Sequence, residues 1–289
     1  MARDVVKWTQ RMSIPEGVDR GVTGLAVEDI GVVFQPIVEV ATGALFAQEA
    51  LVRCKRVEYV SPPALFDQAV KEDACGRLGR LIRTVAFGTC GDVALFVNLH
   101  PAELASRWLV QPDDPIGFHR PPVYLEVTES ATFTHFELCR DVLKELQVRT
   151  GAFLVVDDFG AGYSSLARLG ELPITSLKID GQFIGNITTD AATRTVVRSI
   201  VEIARAHGLT VVAEGVEDAE TLAAVEELGC DYAQGFHVAL PAPADKVSAL
   251  LFEASAPRTL ELVKPQPEEA PLPLIKNLGR HGSWDDNRL

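Results

Sequence analysis

The chain has 289 residues, 47% of them hydrophobic and 23% charged, which suits one large domain with a substantial core and excludes a disordered chain. A formal net charge of −13 excludes a broad basic surface for phosphate backbones, so no DNA or RNA partner is expected, and an anionic ligand would need local cations. Five scattered cysteines, Cys54, Cys75, Cys90, Cys139 and Cys230, form no C-x-x-C pair and indicate free thiols in a reducing compartment.

Met1 to Gln10 carries Arg3, Asp4 and Lys7 but no apolar signal core, and no stretch approaches the roughly 18 apolar residues of a membrane span. A cytoplasmic protein without membrane insertion is expected. Residues 1–28 read as a flanking segment whose apolar patch, Val22 to Val27, is expected to cover the bottom of the following domain.

That domain is placed at residues 29–256. From Val32 onward, short β-branched runs alternate with helical stretches, the rhythm of a parallel sheet or barrel. Strands are expected at Val32–Ile37, Leu45–Ala50, Leu95–Asn98, Val123–Val127, Phe153–Asp157, Ser176–Ile179, Thr210–Ala213 and Asp231–Gln234. Eight of them indicate a closed barrel. The first two are separated only by Glu39 to Ala44, with a Thr42-Gly43 turn, too short for a parallel crossover, so the first strand should run antiparallel to the second. Between later strands, Cys139, Val142, Leu143 and Leu146 form one helical stripe and Val197, Ile200, Val201 and Ala204 another, stopped by Gly151 and Gly208. Residues 257–289, with Pro265, Pro267, Pro271 and Pro273, read as a mobile tail.

Polar groups end the apolar runs: Glu49, Asn98, Glu126, Asp157 with Asp158, Lys178, Glu214 and Gln234. In a (β/α)8 barrel these strand ends converge on one rim, bringing five carboxylates around one lysine. A single strand-end carboxylate is more often a helix cap or an ion pair. A run of them at successive strands is harder to explain so. Oxygen ligands without His or Cys suit a hard cation such as Mg²⁺ or Mn²⁺, and Asp157-Asp158 could flank two neighbouring ions, an arrangement fitted to displacement at phosphorus.

Gln35-Pro36-Ile37 and Glu49-Ala50-Leu51-Val52-Arg53 resemble the signature of EAL-domain phosphodiesterases. The match continues through Val97-Asn98-Leu99, Leu125-Glu126-Val127-Thr128-Glu129, Asp157-Asp158-Phe159-Gly160-Ala161-Gly162, Leu177-Lys178-Ile179-Asp180, Ala213-Glu214-Gly215-Val216-Glu217 and Gly229 to Gly235. The resemblance implies an α/β, TIM-like (β/α)8 barrel with an antiparallel first strand, which hydrolyses cyclic di-GMP to linear pGpG as a homodimer. It implies two Mg²⁺ or Mn²⁺ ions at Glu49, Asn98, Glu126, Asp157, Asp158 and Glu214, with Ca²⁺ inhibiting.

Lys178, Glu214 and Glu49 then stand as catalytic candidates. Lys178 would orient the nucleophilic water, and Glu214 would hold a metal or accept a proton, with the formal base left open. Gln35, Arg53, Asp180, Glu217 and Gln234 match substrate-binding positions, Arg53 offering its fork to a phosphate. Glu129, Gly160 and Gly162 match the loop that positions the second metal. His100 stands where Ser is commoner, either in a rim contact or at a helix start. The alternative function is a catalytically silent module that binds cyclic di-GMP or a regulatory protein partner.

Overall fold

The computed structural model of the chain describes residues 21–104, 109, 111–134, 136–160 and 170–247. Residues 1–20, the Pro-rich tail and Gly162 with its neighbours lie outside the described residues.

Eight strands, β1 (Ile30–Glu39), β2 (Leu45–Cys54), β3 (Leu95–Asn98), β4 (Val123–Thr128), β5 (Phe153–Phe159), β6 (Ser176–Ile179), β7 (Thr210–Ala213) and β8 (Tyr232–Ala233), close into a barrel in sequence order. β1 is antiparallel to both β2 and β8, and every other neighbouring pair is parallel. The reversed first strand follows from its tight turn, where Gly43 N–H donates to Glu39 O and Glu39 N–H to Ala44 O. Pro36 is tolerated within β1 because the ladder to β8 is interrupted there, between the Phe34–Ala242 bridge and the Val38–Ala233 pair.

Side chains alternate along each strand, so a two-residue step moves between layers inside the barrel. Ile37, Ala47, Phe96, Val155 and Val212 pack together in the interior. Aromatic rings close one side of this layer, with Phe46 stacked on Tyr232 at a centroid distance of 3.8 Å and Phe96 on Tyr124 at 4.4 Å. One step from these residues toward the C-terminal ends of β2 to β8 lie Glu49, Asn98, Glu126, Asp157, Lys178, Glu214 and Gln234. On reversed β1 the step runs backward, from Ile37 to Gln35.

Helices cover the outside: α1 (Pro62–Lys71), α2 (Cys75–Thr89), α3 (Pro101–Leu104), α4 (Glu129–Thr134), α5 (Phe136–Thr150), α6 (Gly181–Ile184), α7 (Ala191–Ala206) and α8 (Ala219–Leu228). The stripes read from the sequence face the core, with Cys139, Leu143 and Leu146 buried and Val142 half-buried on α5, and Val197, Ile200, Val201 and Ala204 buried on α7. Gly151 and Gly208 follow these helices at φ 70° and 71°, a conformation that other residues resist.

The apolar patch near the N-terminus is placed differently from expectation. Val22 and Leu25 pack with Leu65, Ala69 and Leu78 of α1 and α2, beside the Ile30–Cys54 pair. That pair lies at the rim end of the β1–β2 ladder, opposite the barrel bottom. Glu72 secures the segment by accepting the backbone N–H groups of Val22 and Thr23.

Gln48, one residue before Glu49, faces out of the barrel, is fully buried, and among the described residues neither its amide oxygen nor its nitrogen has a hydrogen-bond partner. Since an unsatisfied buried amide is destabilising, Gln48→Met is expected to raise stability by about 1 kcal/mol and the melting temperature by about 2–4 °C. Calorimetry checks this, and a lower melting temperature would show that the amide is satisfied in solution.

Candidate active site

The rim is organised around Lys178 on β6, whose ammonium is fully buried. Its Nζ lies 2.5 Å from Glu126 Oε1 on β4 and 2.5 Å from Glu214 Oε1 just beyond β7. Asp157 Oδ1 on β5 is 3.2 Å away and Glu49 Oε2 on β2 is 3.3 Å away. Burial alone would depress the lysine, but Asp157, Glu126, Glu214 and Glu49 outweigh it and hold the ammonium well above the usual range.

One cation cannot satisfy this many acids. Burial first, then repulsion from Glu49, pushes Glu126 well above the usual carboxylate range despite Lys178. Burial likewise carries Glu214 well above its ordinary value, against the pull of Lys178. Asp157 is also raised by burial. Glu49 is the exception: burial is outweighed by Lys178 and by the amides of Gln234 and Asn98, so its carboxyl is lowered. Those amides lie close, Gln234 Nε2 at 2.7 Å from Oε2 and Asn98 Nδ2 at 2.9 Å from Oε1.

Asp157 and Asp158 are consecutive, and in a regular strand they would point to opposite faces. Two local features bring both to the site. The β5–β6 register shifts between Val156 and Phe159, and Asp158 sits at φ 53°, in the left-handed region that non-glycine residues rarely occupy. Carboxylate oxygens of Asp157, Asp158 and Glu214 consequently lie within 4.8 Å of one another. Burial and the neighbouring Asp157 raise Asp158 to about 7. Buried Glu126 Oε2 meets no hydrogen-bond donor among the described residues. Crowded, oxygen-only and short of positive charge, this donor set fits hard divalent cations.

The remaining candidates fall into two groups. Gln35 and Gln234 join the site directly, Gln234 Nε2 donating to Gln35 Oε1 at 3.2 Å as well as to Glu49. They line a cavity of about 190 Å³ with Glu49, Glu214, Glu217 and Phe236. Phe236 was not among the residues singled out from the sequence, although an aromatic directly after Gln234-Gly235 was the available signal. Arg53 lies farther along β2, half-buried, with Nη1 donating to Val52 O and no ion pair among the described residues. Asp180 caps α6 through Gln182 N–H at 2.6 Å, and its charge helps raise Asp158. Glu129 is buried and its Oε2 accepts Gly160 N–H at 2.7 Å, tying the start of α4 to the end of β5.

His100 is resolved in favour of a helix start. Its Nδ1 accepts Ala102 N–H at 3.2 Å, and its ring stacks on Phe66 at a centroid distance of 5.3 Å. It thereby takes the capping role that a serine hydroxyl fills elsewhere.

Comparison with known proteins bears on this arrangement. The chain is 33% identical over 235 residues to the cyclic di-GMP phosphodiesterase RocR of Pseudomonas aeruginosa, an alignment covering 77% of this chain and 60% of RocR. It is 34% identical over 217 residues to the cyclic di-GMP phosphodiesterase PdeR of Escherichia coli, covering 70% of this chain and 32% of PdeR. The chain thus spans about a third to three-fifths of these curated relatives. Among solved structures, the PaMucR phosphodiesterase in complex with c-di-GMP aligns with a TM-score of 0.67 at 30% identity, covering 76% of this chain and 94% of that one. No helix of the described residues is long and apolar enough to cross a membrane. The family model for the EAL domain matches residues 23–241, most of the chain and the whole of the barrel, and the protein belongs to the EAL-domain family.

Proposed function

We propose that the chain hydrolyses one phosphodiester of cyclic di-GMP, giving linear 5′-pGpG, with two Mg²⁺ or Mn²⁺ ions held by Glu49, Asn98, Glu126, Asp157, Asp158 and Glu214. The observation that carries this reading is the convergence of acidic side chains from β2, β4, β5 and the end of β7 on one buried lysine, with Asn98 hydrogen-bonded to Glu49. Bound there, the ions would acidify a water and draw charge from the phosphate oxygens. Lys178 keeps the carboxylates close together and would orient the attacking water. Glu214, beside both Lys178 and the Asp157–Asp158 pair, would hold a metal or take a proton. Gln35, Gln234 and Glu217, lining the adjoining cavity, would hold the nucleotide, and Arg53 would turn from Val52 O toward a phosphate. Relatives named as cyclic di-GMP phosphodiesterases support the choice of substrate.

The ions provide the test. Mg²⁺ and Mn²⁺ are expected to support pGpG formation, whereas excess Ca²⁺ is expected to inhibit it while permitting nucleotide binding, because Ca²⁺ prefers longer bonds and more flexible coordination. Chromatography of the nucleotides measures turnover, and calorimetry in Ca²⁺ measures binding. Equal turnover in Ca²⁺ and Mg²⁺ would defeat the proposed metal geometry. Binding without turnover in every ion would replace the enzyme by a receptor.

A further inference from the structure

A second cluster of charge is buried outside the rim, and no step of the proposed chemistry uses it. Arg83, midway along α2, is completely buried, as are Glu103 on α3 and Asp114 beyond it. Arg83 Nη1 donates to Glu103 Oε2 at 2.7 Å, while Nη2 and Nε donate to the two oxygens of Asp114 at 2.8 and 3.2 Å. Hydrophobic residues of similar volume would often match such a cluster in stability, so stability alone does not account for it.

The remaining Glu103 oxygen identifies what is fixed. Oε1 accepts the backbone N–H of His100 at 3.0 Å. His100 lies two residues beyond Asn98, which ends the four-residue strand β3 with an exposed side chain. Leu99 N–H donates to Glu126 O at 2.8 Å, so the short stretch after Asn98 is tied both to β4 and, through Glu103, to α2. Asn98 in turn orients Glu49. The surface of α2 is shaped for this contact: a Cβ on Gly79 would stand 1.9 Å from Glu103 Oε2, so only glycine lets the carboxylate lie against the helix and reach Arg83 one turn on.

We propose that Gly79, Arg83 and Glu103 are positioning residues that hold the Asn98 turn, and with it the amide of Asn98, in place for metal binding. The inference rests on the assignment of Asn98 and Glu49 as ligands. Partners that orient a ligand from behind contribute about 10–100-fold to metal affinity, and here the Glu103 contact acts beside the bonds of Asn98 to Glu49 and of Leu99 N–H to Glu126 O.

The test is titration of chelator-treated protein with Mn²⁺ alone, reading free Mn²⁺ by electron paramagnetic resonance, with circular dichroism melts on each variant. Arg83→Ala is avoided because it would leave two carboxylates buried without their partner. Gly79→Ala retains every charge and favours the helix, yet displaces the Glu103 carboxylate. It is expected to weaken Mn²⁺ binding by about 10-fold, as is Glu103→Ala, whereas Glu103→Gln, which keeps one oxygen for His100 N–H but sets an amide N–H against Arg83, should fall between these variants and the wild type. Wild-type affinity in folded Gly79→Ala and Glu103→Ala proteins would overturn the inference while leaving the metal site intact, even if their melting temperatures fell. Failure of the wild type itself to bind Mn²⁺ would overturn the metal assignment and this inference together.

Discussion

Glu49→Ala is expected to lower cyclic di-GMP turnover by at least about 100-fold while leaving the barrel folded. Glu49 is the meeting point of three side chains, receiving Asn98, Gln234 and Lys178, so its loss releases both a proposed ligand and the amides that surround it. Two effects on stability oppose each other. The lowered carboxyl contributes stability at neutral pH through these partners, and its removal also relieves repulsion on Glu126, Asp157 and Glu214. A small change in melting temperature is therefore expected. Turnover is followed by chromatography and folding by circular dichroism in the same buffer. Retention of more than about a tenth of the wild-type rate would remove Glu49 from the centre of the mechanism.

Lys178→Met should be costly in a different way. It removes the ammonium that lies within 3.3 Å of four carboxylates, and the buried acids then have no cation among the side chains in contact with them. In chelator at pH 8 the variant is expected to lose about 3–5 kcal/mol, and activity is expected to fall by at least about 100-fold. The pH dependence follows from the acids. Glu126, Asp157, Asp158 and Glu214 all have raised values, so each binds its proton more tightly folded than unfolded. Their contribution is complete below about pH 4 and is lost as pH rises through the folded-state value, about 7 for Asp158. Glu49 has the opposite sign and resists this trend only in part. Without the ammonium the loss should be steeper, and saturating Mn²⁺ should recover much of it. Equal melting temperatures for variant and wild type in chelator at pH 8 would show that Lys178 does not offset the carboxylates.

Much of this architecture was legible because β-branched runs bounded by turns mark strands whatever their surroundings, and because a polar group at the end of each run is conspicuous. Boundaries were less legible where tertiary pairing extends or ends a strand. β2 continues through Leu51 to Cys54 because β1 supplies partners back to Ile30, and β8 shortens to Tyr232–Ala233. β5 runs past Asp157 through an irregularity with a left-handed aspartate, which the sequence shows only as two adjacent acids. Arg83, Glu103 and Asp114 left no trace at all. They lie 20 and 31 positions apart, obey no helical or strand period, and individually resemble ordinary surface charges.

The reversed first strand also decides where the barrel is entered. In an all-parallel barrel the chain would come in at the bottom, with the full height of the wall between its lead-in and the strand ends. Here Val22–Asp29 reaches β1 at the rim, and five residues after Ile30 the strand arrives at Gln35, paired in register with Glu49. The β1–β2 ladder therefore joins the N-terminal segment directly to the rim carboxylate. Only the five pairs from Ile30–Cys54 to Phe34–Ala50 separate that segment from Gln35 and Glu49.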